Sequence, residues 1–441
     1  MKHIVIVVMT LFTLGTLQAS EGNKINFTEK TLDNGLHVIL HQDNTTPIVV
    51  VSVMYHVGSK NEDPNRTGFA HFFEHLLFEG SENIKRGEFD KLTTSAGAFN
   101  NAYTSNDVTY YYELLPSNQL ELGLYLESER MMHAKIEQIG VETQREVVKE
   151  EKRENYDNQP YGSFLIEVLR NAYTVHPYRW APIGSLDHLN EASLEEFMAF
   201  YDQYYVPENA TLVIAGDIDT KETIQLVHKY FDEIKGNNQP IPRPSAVEPP
   251  QTKEVRNVVY DNIQLPAVIT AYHIPAQGTD DYYALEMLST ILSGGESSRL
   301  NKSIVDEQEL AVATGAFSFS LEHPGLYIVY GIANLGTPID TLEAALEAEF
   351  DKVKADLISE REFQKIRNQT ENDFISGNST LEGIANSLAD YYTLFKNADL
   401  INTELEKYMA VTREDIRRVA QQYLVKENRV LLQYLPKTED Q

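Results

Sequence analysis

The sequence predicts an α+β fold of two homologous domains, each a mainly antiparallel sheet with helices, joined by a Pro-rich linker. Three observations predict it. The chain has 441 residues, 42% hydrophobic and 23% charged, which is globular composition and enough length for more than one core. Residues 236–252 hold Pro240, Pro242, Pro244, Pro249 and Pro250. Five prolines in 17 residues fit neither a helix nor a central strand, and they favour an extended spacer. The two flanking halves repeat each other. At a constant offset of 219, Gln203, Tyr204, Val206, Glu208 and Asn209 meet identical residues in the segment that begins at Thr412.

The elements follow in order. Asp33-Asn34-Gly35 is a turn signal before an apolar run from Leu36 to His41. Ile48 to His56 is a second strand, and Val108 to Leu115 is rich in β-formers. Leu120 to Met132 and Val141 to Asn155 read as helices. Ser193-x-x-Glu196 and Thr412-x-x-Asp415 are capping boxes. Each opens a helical period that ends in a short break and a strand-like run, Ala210 to Ile214 in one half and Arg429 to Gln433 in the other. The boundaries expected are 24–235 for the first domain, 236–252 for the linker and 253–436 for the second.

Residues 1–19 read as a secretory signal peptide. Lys2 and His3 precede an apolar stretch from Ile4 to Leu17, and Leu17-Gln18-Ala19 has the small-residue pattern of a cleavage site. The stretch is short for a membrane span and no other apolar run reaches 18 residues. An exported mature chain without a membrane span is expected, with the periplasm as its compartment. The net charge of -29 repels phosphate backbones and argues against nucleic-acid binding. It permits a preference for basic peptides. With no cysteine, thiol catalysis, disulfides and Cys-type zinc sites are excluded.

The chemistry concentrates in Gly68-Phe-Ala-His-Phe-Phe-Glu-His-Leu-Leu-Phe-Glu-Gly80. On a helix His71 and His75 are one turn apart, so both imidazoles project from one face and grip one ion. Glu74 lies beside that ion without binding it, placed to take a proton from a water. This is the inverted H-x-x-E-H pattern. Two histidines hold zinc weakly, and catalytic sites use three protein ligands. The acid-rich run 141–155 supplies the third. With Val147 and Val148 marking its buried stripe, helical phase of about 100° per residue brings Glu151 onto that stripe. Glu150 points about 110° away and Glu154 about 70°, which leaves Glu154 as the weaker candidate. A carboxylate on an apolar stripe is costly unless paired or metal-bound.

His71-x-x-Glu74-His75, followed after 75 intervening residues by Glu151, resembles the pitrilysin/insulysin family of inverted-motif zinc peptidases, which includes the mitochondrial processing peptidases. Arg145-x-Val147-Val148-x-x-Glu151 is similar to that family's third-ligand helix. Gly97 to Thr104, then Thr109-x-Tyr111, resembles its edge strand and the strand after it, and Ser297-Ser298-Arg299-Leu300 a signature of its second half. The resemblance implies two domains facing each other as a clam, one Zn2+ per chain on His71, His75 and Glu151, and Glu74 as general base. It implies peptide substrates added as a strand and held by Asn101 and Ala102.

Single-chain members of that family carry an Arg and a Tyr in the second half that assist the transition state. Anchored on Gln308 and Leu310, those positions hold Val305 and Val312 here. This departure predicts a homologous partner subunit, in a heterodimer or a homodimer, that supplies them. The competing reading is a non-catalytic scaffold or peptide-binding subunit that keeps a structural zinc. All four motif residues are intact, which favours the enzyme.

Overall fold

A computed structural model describes residues 24–237 and 239–437. The expected signal peptide lies outside them.

The first half runs β1 (Thr28–Thr31), β2 (His37–Gln42), β3 (Ile48–Tyr55), α1 (Phe69–Leu76), α2 (Phe89–Ser95), β4 (Phe99–Thr104), β5 (Thr109–Pro116), α3 (Leu120–Met132), α4 (Gln138–Lys152), α5 (Phe164–Ala172), α6 (Leu186–Glu191), α7 (Leu194–Tyr204), β6 (Ala210–Gly216) and α8 (Thr220–Phe231). The second runs β7 (Val255–Asp261), β8 (Ala267–His273), α9 (Asp280–Ser293), β9 (Ala311–Phe319), β10 (Leu326–Ala333), α10 (Ile339–Ala355), α11 (Glu360–Gly377), α12 (Leu381–Phe395), α13 (Leu400–Ala410), α14 (Arg413–Tyr423) and β11 (Arg429–Pro436). Among the described residues, none between α8 and β7 is helical or in a strand.

The duplication is visible in the sheets. The first has the order β1-β2-β6-β3-β5-β4 and the second β7-β11-β8-β10-β9. With β1 set aside, the orders correspond strand for strand. In each, the first pair (β2 with β6, β7 with β11) is parallel and the remaining pairs are antiparallel. Both capping boxes close reciprocally, Ser193 with Glu196 and Thr412 with Asp415.

β3 reads as one apolar run because both of its faces are covered. Val49, Val51, Val53 and Tyr55 turn to the core that contains α1, while Val50 and Met54 turn to a second core built with Ile384, Ala385, Leu388 and Ala389 of α12. A helix of the second half therefore covers the sheet of the first. The converse also holds, since α5 packs on β8 and β11. The 219-residue offset carries α5 onto residues 383–391, within α12, so the two halves exchange equivalent helices. The larger core is continuous across the halves and takes in Ile269, Ile328, Leu432 and Tyr434 beside Leu36 and Phe197.

Two charged clusters lock this frame. Between the halves, His56 Nε2 meets Glu322 Oε2 at 2.7 Å, and Lys60 bridges Glu322 and Asp107, the latter at 2.7 Å. Burial opposes ionisation of Glu322, yet His56 and Lys60 hold its carboxyl well below its ordinary value. Burial holds the His56 imidazole below its ordinary value. Within the first half, fully buried Arg130 sits between Glu127 and Glu113. Its guanidinium stacks 4.8 Å from Phe78, 4.7 Å from Phe89 and 4.4 Å from Tyr111.

Candidate metal centre

α1 is amphipathic in a way that sets the site. Phe69, Phe72 and Phe73 bury against α7, with ring centroids 4.6 and 4.9 Å from Phe197 and 5.6 Å from Phe200. His71, Glu74 and His75 are left to the other side. The helix starts sharply at Gly68, whose φ of 96° suits glycine. Buried Glu62 caps it, accepting the N–H of Gly68 and of Ala70 at 2.9 Å each and the Trp180 indole at 3.1 Å. Burial pushes the Glu62 carboxyl up to about 8 while these donors pull it back. No local sequence signal marks this cap.

The structure brings His71, His75 and Glu151 together. Glu151 Oε2 is 3.5 Å from His71 Nε2 and 3.2 Å from His75 Nε2. The three candidate ligand atoms lie within 4.8 Å of one another, and no other such group occurs among the described residues. Glu151 Oε2 is buried without a well-formed hydrogen bond, and a cation between it and the two Nε2 atoms satisfies it. Burial alone raises the Glu151 carboxyl, but the two imidazoles reverse this and hold it well below the ordinary range. Two imidazole nitrogens and one carboxylate oxygen make a donor set that fits zinc with a position left open.

Glu151 lies in the last turn of α4, just before a π-helical turn at Arg153–Asp157. The expected stripe is half right. Val148 is buried, but Val147 is 43% exposed. The buried line runs through Gly140, Val141 and Val148, where α4 meets α1 and α6, and it leaves Val147 outside. Glu154 is exposed, and Glu150 and Glu146 pair with Arg153 and Lys149 in solvent.

Glu74 stays outside the three-ligand group. Its Oε2 accepts the Thr104 hydroxyl at 2.7 Å. Thr104 ends β4, which among the described residues pairs only with β5 and leaves its outer edge open. Asn101 and Ala102 lie on that edge strand, and the Ala102 N–H is met by the Asn101 side-chain oxygen at 2.9 Å. The Thr104 contact escaped sequence reasoning, since it joins residues 30 apart in different elements. In the second half, Arg299 forms a two-pronged pair with Glu362 at 2.9 and 2.8 Å. Val305 packs beside the second core and Val312 is exposed on β9.

The chain as a whole is similar to known peptidases. Residues 37–180 match the family described as insulinase (peptidase family M16), and residues 191–370 match the peptidase M16 inactive domain. Over 94% of this chain and 94% of the relative, the sequence is 32% identical to the zinc protease PqqE of Helicobacter pylori. It is 24% identical to a probable mitochondrial-processing peptidase subunit beta of Arabidopsis thaliana, over 89% of this chain and 75% of that one. The crystal structure of a protease from Helicobacter pylori superposes with a TM-score of 0.89 at 31% identity, covering 93% of this chain and 100% of the other. The periplasmic protease PqqL of Escherichia coli superposes with a TM-score of 0.75 at 21% identity. There the match covers 93% of this chain and 47% of the longer one.

Proposed function

The chain belongs to the insulinase (M16) family of peptidases, and from that premise we propose that it is a zinc-dependent endopeptidase hydrolysing short or unfolded peptides. The observation that carries this reading is the convergence of His71, His75 and Glu151 with Glu74 alongside. In this reading the first three residues hold one zinc ion. The ion supplies Lewis acidity, which acidifies a water and polarises a carbonyl. Glu74 takes the proton of the attacking water on its carboxylate and passes it to the leaving amine nitrogen as the peptide bond breaks. Asn101 and Ala102 hold the substrate backbone at the open edge of β4, which selects extended peptides.

We assign the functional unit to this chain together with a homologous subunit, in a heterodimer or a homodimer. Val305 and Val312 at the expected helper positions support this, as does the likeness to processing-peptidase beta subunits. The apolar stretch from Ile4 to Leu17 supports export, with the periplasm as compartment.

Zinc content after dialysis, measured with activity on a peptide library, tests the reading. Wild type and Glu74→Gln should both retain about one zinc, and turnover should fall by at least about 10²-fold in the variant. A folded preparation that takes up no zinc, or a variant of undiminished activity, overturns it. Zinc in both with no turnover, even with a co-purified partner, supports a scaffold with a structural ion instead. The match of residues 191–370 to an inactive domain is the observation behind that second reading.

A further inference from the structure

The segment Ser297-Ser298-Arg299-Leu300 stands out in the sequence, yet the zinc site gives it no task. It forms one wall of a recess of about 720 Å³ in the second half. The other walls come from the π-helical turn Asn301–Glu307, the C-terminal part of α10 and the first turns of α11. Ile291 and Ile366, buried in the core of the second half, add an apolar lining.

Cations outnumber acids in this recess, on a chain whose net charge is -29. Two of its acids are already matched. Arg299 holds Glu362 in the two-pronged pair, and Glu349 accepts Lys352 Nζ and the Ser303 hydroxyl, each at 2.6 Å. Glu307 is exposed and stands 3.9 Å from Lys302. Arg361 and Lys365 are left without an acid, one turn apart on the same face of α11. Among the described residues no acceptor engages the Arg361 guanidinium. Lys365 Nζ meets only the Ser297 hydroxyl, at 2.6 Å.

A buried group points to the same kind of ligand. Ser298 lines the recess and is 3% exposed, and its Oγ has no hydrogen-bond partner among the described residues. A buried hydroxyl left unpaired is costly, and native structures satisfy most of them. An anion drawn in by Arg361 and Lys365 supplies the missing acceptor.

We propose that this recess binds the phosphoryl group of a small organic phosphate ester. Such a group carries about two negative charges at neutral pH and three strong acceptor oxygens. That matches two uncompensated cations and one waiting hydroxyl, whereas a carboxylate brings one charge and two oxygens. Arg361 supplies a planar fork, Lys365 a point charge and Ser298 one O–H. The volume exceeds that of a bare phosphate and falls in the small-molecule range of about 300–1,000 Å³. The organic part rests on Ile291 and Ile366. The site goes beyond the peptidase reading and depends on neither the zinc ion nor turnover.

Isothermal titration of the zinc-loaded chain with phenyl phosphate tests this. Binding should be saturable and at least about tenfold tighter than that of benzoate, which has the same ring and a single charge. It should weaken with added salt and persist after the zinc is chelated. The double variant Arg361→Gln, Lys365→Gln should bind at least about tenfold more weakly, while Lys221→Gln on α8 should bind as wild type does. Ser298→Ala breaks no hydrogen bond within the described chain, so it should melt no lower than wild type, yet it should lose about tenfold in affinity. Vesicles of phosphatidic acid identify the source of the ester. Co-sedimentation that phenyl phosphate reverses supports a lipid headgroup, and phenyl phosphate binding without co-sedimentation supports a free molecule. No saturable binding, binding undiminished in the double variant, or binding lost with the zinc overturns the site. Benzoate binding as tight as phenyl phosphate overturns the phosphoryl assignment.

Discussion

The Thr104 hydroxyl donates to Glu74 Oε2 at 2.7 Å, so the edge strand that would receive substrate also aims the proposed base. Thr104→Val should lower kcat by about tenfold, or about 1.4 kcal/mol of barrier, with KM nearly unchanged. Thr104→Ser should restore most of the rate. Zinc content should be the same in all three, which separates aiming of Glu74 from damage to the metal centre.

Zinc should report on folding as well as on activity. An ion bound only by the native chain, at about 1,000 times its dissociation constant, adds about 4 kcal/mol. Chelation should lower the melting temperature, and added zinc should restore it. His75→Ala should melt like chelated wild type and gain little from zinc.

Arg130 is the counter-charge for two acids in a dry interior. Arg130→Met leaves Glu113 and Glu127 uncompensated and should cost about 3–5 kcal/mol in urea unfolding. Adding Glu113→Gln and Glu127→Gln should recover much of that loss. A single variant as stable as wild type would remove the cluster from the account of what holds α3 behind α1.

The clasp between the halves should fail in acid. The Glu322 carboxyl is held below its ordinary 4.5, so its contribution is present above that pH and lost as pH falls below it. His56 is held below its ordinary 6.5 by burial. Below pH 6.5 the unfolded chain binds this proton more readily than the folded one, so the contribution of His56 also fades as pH falls below 6.5. Melting temperature should drop from about pH 6.5 downward. Glu322→Gln should flatten the part of that slope below about pH 4.5.

What was legible in the sequence was local or periodic. The turn at Asp33-Asn34-Gly35, the two capping boxes and the one-turn spacing of His71 and His75 each lie within a few residues. The repeat at an offset of 219 anticipated the matching strand orders. Helical phase pointed to Glu151, which lies beside His71 and His75, although Val147 turned outward, because the edge of α4 marked by Val148 was enough to set its phase toward α1. Contacts made across the chain were not legible. Tyr103 meets Asn386 across 283 positions and His56 meets Glu322 across 266. No spacing rule couples residues so far apart, and only the exchange of α5 and α12 brings the first pair together.

That exchange bears on how the molecule survives damage. A break anywhere in the Pro-rich strap leaves two fragments that still clasp each other, because each lays a helix across the other's sheet. A clipped chain should keep the outline of the intact one, whereas either fragment made alone exposes an oily face that only its sibling fits.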